Sequence, residues 1–200
     1  MKKIVVPLFA FFCSWMPLRA QITVESADMP SQGDTMRVSV TNIVPAGYNK
    51  TAMDTIWNFM DMEPMTQRVD SFVSPVATPA AYQLVFMILG GSNLASPKSG
   101  SPIPGLSINH GFTFYKNGPG SFSELGSAYT VQGIPVPAKY DNPDEYYAFP
   151  MTPGSAWSSV SSFAFPVPGL LYFSTRRYRT SIVDGWGTLT TPYGTFPVLR

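Results

Sequence analysis

Hydrophobic positions form one continuous run near the N-terminus, residues 4–18, and afterwards only short segments separated by Gly, Pro, Asn and Asp. Lys2 and Lys3 precede the run, and Arg19, Ala20 and Gln21 follow it. A charged stretch, an apolar stretch and a small residue at the cut are the three parts of a secretory signal. Interrupted by Pro7, Ser14 and Pro17, the run falls short of the about 20 apolar residues that span a bilayer. Residues 1–20 are therefore expected to be a cleavable signal peptide, and residues 21–200 one exported β-rich domain with no stable membrane insertion. Ala10-Phe11-Phe12 before Cys13 is not a lipidation box.

Beyond the signal the hydrophobic period shortens to two. Met36, Val38 and Val40 alternate with Arg37 and Ser39, which predicts a strand over 35–41 entered from a turn at Gln32-Gly33-Asp34. Residues 55–59 and 67–73 read as short strands on either side of a loop at 61–65. The most hydrophobic stretch is 82–89, where Val85, Phe86 and Ile88 favour a buried central strand over a short helix. The Gly-, Ser- and Pro-rich stretch 90–109 reads as a long surface loop. Further strands are expected at 111–116, before a turn at Asn117-Gly118-Pro119-Gly120, and then at 129–134, 146–149 and 159–165. A three-stranded meander follows: a strand over 170–183, a type I′ turn at Asp184-Gly185, a return strand over 186–190, a turn at 191–194 and a strand over 195–199. Because the strand pattern is still running at Arg200, the domain is expected to continue past it. The whole predicts an all-β fold, an antiparallel β-sandwich or barrel-like domain with long Pro/Gly/Ser-rich loops.

Charge and composition narrow the partners. Without the signal, ten basic residues face twelve acidic ones, a formal charge of −2. Nucleic acid and anionic membranes call for a basic excess, so neither is an expected partner. The single cysteine leaves with the signal, and the fold must be held by its core rather than by disulfides.

The segments Ala27-Asp28-Met29-Pro30 and Gly33-Asp34-Thr35 resemble the opening of a group of uncharacterised secreted Bacteroidetes proteins. The resemblance continues through Trp57-Asn58-Phe59, the 140–144 segment and Phe149-Pro150. It is strongest over 183–196 and Val198-Leu199-Arg200, so that it covers nearly the whole mature chain. Members of that group typically carry a C-terminal sorting domain of the type IX secretion system, which these 200 residues do not include. The resemblance implies a secreted or cell-surface location with the secretion machinery as a partner. It implies no activity and no catalytic residue.

Candidate chemistry is sparse. His110 is the sole histidine, and Gly105-Leu106-Ser107-Ile108-Asn109 departs from a nucleophile elbow at its last position. No catalytic constellation emerges, so no enzyme activity is expected. Asp141, Asp144 and Glu145 form the tightest carboxylate cluster. Hard oxygen ligands on a loop suit calcium, the one cofactor left open, although Asn142-Pro143-Asp144 reads more simply as a turn. A catalytic carboxylate pair is the further alternative. Tyr140, Tyr146, Tyr147 and Trp157 surround the cluster as candidate ligand-binding residues, since rings beside carboxylates suit sugars; core packing accounts for them more simply. Of Arg176, Arg177 and Arg179, a strand places the last two on one face and Arg176 with Tyr178 on the other, which reads as a solvated or edge strand before an acidic-ligand site. Asp34-Thr35-Met36 and Asp54-Thr55-Ile56 resemble the Asp-Ser/Thr-apolar motif of Bacteroidetes O-glycosylation and mark Thr35 and Thr55 as candidate modification sites.

The expected role is a non-catalytic secreted or cell-surface β module with a structural, adhesive or binding function, its partner an extracellular glycan or protein. The alternative is an enzyme or enzyme accessory acting on extracellular glycans.

Overall fold

The computed structural model describes residues 22–99, 108–131, 133–167 and 171–200. The signal peptide, the Gly105–Ser107 part of the elbow-like segment and the side chain of His110 lie outside the described residues. The described strands are β1 (Thr35–Val40), β2 (Thr55–Asn58), β3 (Thr66–Ser71), β4 (Leu94–Lys98), β5 (Ile108–Asn117), β6 (Ser121–Val131), β7 (Ile134–Ala148), β8 (Ala156–Val167), β9 (Leu171–Ile182), β10 (Trp186–Thr191) and β11 (Gly194–Leu199). The protein is mostly β, as its alternation predicts. Among the described residues it is built from several mainly antiparallel sheets, none closed into a barrel.

The largest sheet runs in the order β4-β5-β6-β7, all antiparallel. Alternation along its strands sends Leu94 and Ala95, and likewise Phe114 and Tyr115, to opposite faces. One face carries Ala95, Phe114, Leu125 and Ala128, covered by Tyr82 and Phe86. Phe86 stacks on Phe114 at 4.1 Å between ring centroids. The other face carries Leu94 and Phe122 with Phe72, flanked by Met29, Tyr115, Tyr146 and Phe149. Each aromatic ring taken fully out of water contributes about 2–3 kcal/mol, so this two-faced sheet is where the fold's stability concentrates.

The cover over the first face corrects the strand expected at 82–89. The chain there is a helical turn, Ala80–Tyr82, continuing as a π-helical stretch, Gln83–Ile88. A strand would have put Tyr82, Leu84, Phe86 and Ile88 on one face. Instead Tyr82 and Phe86 are fully buried, while Leu84 and Ile88 are 52% and 65% exposed. Pro79 opens the segment as its N-cap. The long loop expected at 90–109 also needs correcting, because β4 lies within it and buries Leu94, Ala95 and Ser96.

Three smaller sheets surround this core. β1 and β3 form a ribbon, joined to the main sheet where Val73 bridges Ala95. β8 and β9 form a second ribbon. The third sheet is β11-β10-β2, in which β2 runs parallel to β10. Prolines within strands, among them Pro97 in β4, Pro135, Pro137 and Pro143 in β7, and Pro197 in β11, fall on edge strands, the positions where proline is tolerated.

The C-terminal meander is therefore not formed as expected. β10–β11 is a hairpin through the predicted 191–194 turn, but β9 pairs with β8 and β10 belongs to another sheet. A type I′ turn needs φ > 0 at both central residues. Neither Asp184 nor Gly185 is among the positive-φ residues. The glycines serve close approach instead: a Cβ on Gly187 would lie 1.9 Å from the Thr55 carbonyl oxygen, and one on Gly185 3.0 Å from that of Ala52. The strand expected at 129–134 straddles a second hairpin, in which Val131 of β6 faces Ile134 of β7.

Candidate functional site

Two places gather chemistry: a polar cluster between β7 and the β8–β9 ribbon, and an apolar groove between the small sheets. The cluster begins with irregular pairing. Glu124 of β6 opposes Asp144 of β7, and Gly126 opposes Lys139, so Leu125 alone faces Tyr140, Asp141, Asn142 and Pro143. The Asn-Pro-Asp signal thus marks a bulge within a strand rather than a turn between strands. A second irregularity leaves Tyr146 between the pairs Phe122–Tyr147 and Ser123–Glu145. Bulges re-aim side chains. Here they turn two tyrosines onto one carboxylate: the Tyr140 hydroxyl donates to Glu124 Oε1 at 2.9 Å, and that of Tyr146 donates to Glu124 Oε2.

The β8–β9 ribbon supplies the cations. Its burial alternates, placing Arg177 and Arg179 inward and Arg176 and Tyr178 outward, as the strand reading requires. Arg179 holds Asp144 through two bonds, Nε to Oδ1 at 2.8 Å and Nη2 to Oδ2 at 3.0 Å. Arg177 Nη1 donates to Asp144 Oδ2 at 2.8 Å and reaches Glu124 Oε2 at 3.4 Å. Ser159 adds a hydroxyl to Asp144 Oδ1 at 3.1 Å. Both guanidinium groups also lie over rings, Arg177 over Tyr140 and Arg179 over Tyr146.

Two carboxylates and two guanidiniums leave this cluster neutral. Burial alone would raise the Asp144 pKa, but hydrogen bonds from Arg179 and Arg177, with their charge, lower it to about 2. Burial, reinforced by the Glu124 charge, raises Tyr140 and Tyr146 and pushes Tyr115 up to about 12. Asp144 is thereby held ionised, and Tyr140, Tyr146 and Tyr115 protonated, across the physiological range. Its evident work is mechanical: it ties the β8–β9 ribbon to the main sheet.

The predicted site residues are dispersed by this arrangement. Asp144 is 1% exposed and occupied by arginines, whereas Asp141 is exposed and accepts from Ser162. Among the described residues no three His, Cys, Asp or Glu side chains come together as a metal site. Tyr140 is buried, the Trp157 indole N–H donates to the Glu145 carbonyl at 3.3 Å, and Tyr147 is 41% exposed, so the four aromatic residues do not share one open platform. Arg177 and Arg179, read as a solvated edge, are internal partners instead. Arg176 stays outside, stacked on Tyr178. Thr35 and Thr55 are the first residues of β1 and β2, the former exposed.

The groove was not visible in any local pattern. It lies where the end of β1, the loop after β2, the start of β3 and the β10–β11 turn meet, and it encloses about 390 Å³. That volume falls within the range of ligand sites. Its lining is mainly apolar, with Val40, Phe59, Met62, Pro64 and Tyr193, and among the described residues Glu63 is the charged one in it. Tyr193 holds the two small sheets together through a bond between its hydroxyl and Ser39, and Gln67 Nε2 donates to the Ser39 hydroxyl at 3.1 Å. Replacing Tyr193 with phenylalanine is expected to lower stability by about 1 kcal/mol, read as a shift in urea midpoint. An unchanged midpoint would mean that water replaces the hydroxyl at no cost.

Comparison with protein-family models, with curated proteins and with solved structures finds no match for this chain.

Proposed function

We propose that the protein is a non-catalytic binding module of an exported protein, and that the groove beside Tyr193 is its contact surface. The observation that carries this reading is the contrast between the two candidate places. The carboxylates and arginines of the polar cluster satisfy one another, whereas the groove offers aromatic, methionine and proline side chains to solvent. Met60 and Met65, chain neighbours of its lining, are 54% and 64% exposed. Flexible methionines and rigid aromatic rings together adapt to and anchor a partner. Export rests on the signal-like N-terminus and on the resemblance to secreted Bacteroidetes proteins.

The test is a fragment screen by two-dimensional amide NMR on the exported chain, with capped amino acids, small amphiphiles and monosaccharides as probes. Shifts are expected at Val40, Phe59, Met62, Gln67 and Tyr193. Monosaccharide shifts centred on Tyr147 would move the reading to a glycan-directed module, and no shift at the groove overturns it.

A further inference from the structure

The binding-module reading leaves open what the groove accepts, and its charge answers that. Glu63 lines the groove, and Asp61 stands two residues before it in the same loop. Neither carboxylate has an ion pair or hydrogen bond among the described residues, in contrast to Asp70, Asp144 and Asp184, each held by an arginine. An unpaired carboxylate at the mouth of an apolar, aromatic-walled recess is complementary to a cation carried on an apolar stem. Phe59 and Tyr193 bring aromatic rings, which attract cations, to the lining, and Met62, Pro64 and Val40 bring apolar surface suited to methylenes. Two basic residues, Arg37 and Arg68, line a neighbouring recess that shares Tyr193 and Gln67, and Arg68 is engaged by Asp70 at 2.9 Å.

We propose that the groove takes a lysine or arginine side chain presented by an apolar, extended segment of a partner protein. A macromolecular partner is favoured over a free amine because apolar exposure continues in the chain beside the groove lining, at Met60 and Met65. The charge selects, and the surrounding apolar area holds.

Three labelled peptides, Ser-Val-Lys-Val-Ser and its norleucine and glutamate counterparts, test this by fluorescence anisotropy at low ionic strength on the full exported chain. The lysine peptide is expected to bind about tenfold tighter than the norleucine peptide, with the glutamate peptide weaker still, and 0.5 M salt should shrink the difference. Glu63→Gln should erase the lysine preference while keeping norleucine binding and an unchanged circular dichroism spectrum. Equal binding of lysine and norleucine peptides overturns the charge assignment and leaves the groove itself in place as a binding site. Self-association that blocks all three peptides also overturns it, by giving the groove to a second copy. Failure of every peptide together with absence of fragment shifts at the groove overturns both this proposal and the reading beneath it.

Discussion

Alanine at Gly126 is expected to destabilise the protein by more than about 4 kcal/mol, enough to leave much of the chain unfolded at room temperature. Two independent effects combine. Gly126 has φ = 136°, a conformation that L side chains rarely adopt, so any Cβ introduces strain. That Cβ would also lie 2.2 Å from the Ala138 carbonyl oxygen and 2.9 Å from Lys139 Cα. Both obstacles are backbone of the paired strand, so β6 and β7 must separate. Separation occurs beside the bulge that aims Tyr140 at Glu124, and the polar cluster should loosen with the sheet. Gly133 is the matched control, since its φ is 82° but a Cβ there meets nothing within 4 Å. Gly133→Ala should cost only about 1–2 kcal/mol. Equal thermal midpoints for the two variants would refute the close-approach argument.

Asp144→Asn should cost about 3 kcal/mol. The amide keeps the shape of the carboxylate but leaves Arg177 and Arg179 facing no charge except Glu124, and breaking a buried pair from one side typically costs about 3–5 kcal/mol. The lower end applies because the two arginine side chains are 39% and 33% exposed. Asp141→Asn, three residues earlier and on the surface, should stay within about 0.5 kcal/mol. The pH dependence has a defined sign. The Asp144 pKa is depressed from 3.8 to about 2 in the folded protein, so its stabilisation is complete above the unfolded value and is lost as pH falls through the folded one. Urea midpoints of the wild type and Asp144→Asn should therefore differ by a constant amount at neutral pH and converge between pH 4 and pH 2. A gap that persists unchanged at pH 2 would show that the loss arises from packing rather than charge.

The alternation of the β9 segment is legible because that strand has one face toward protein and one toward water, whereas β1, read from the same period, leaves Met36 and Val40 exposed. The Arg177–Arg179 face followed directly from that period, although its partners did not: Asp144 and Glu124 lie far off in sequence, and an internal ion pair looks like a solvated charge until the other strand is placed. At residues 82–89 the sequence is apolar everywhere except Gln83, so it carries no clear period to read, and the β-branched residues Val85 and Ile88 weigh toward strand. Asp184-Gly185 has turn chemistry, yet Gly187 two residues later answers to β2, a strand from the other end of the chain. Asn142-Pro143-Asp144 reads as a turn but forms a bulge inside β7, because a bulge and a turn use the same residue types. The groove had no local signature because its walls come from three separated segments.

The parallel pairing of β2 with β10 has a consequence for how the protein comes into being. A chain made N-terminus first presents residues 55–58 long before residues 187–190 exist to pair with them. High contact order of this kind slows folding. The main sheet, whose strands follow one another closely, has no such wait. Folding should thus be sequential, with the β2–β10–β11 sheet last, and Tyr193 arrives with that final step. The groove is therefore complete only when the β10–β11 turn has joined the segments at 39–41 and 59–67.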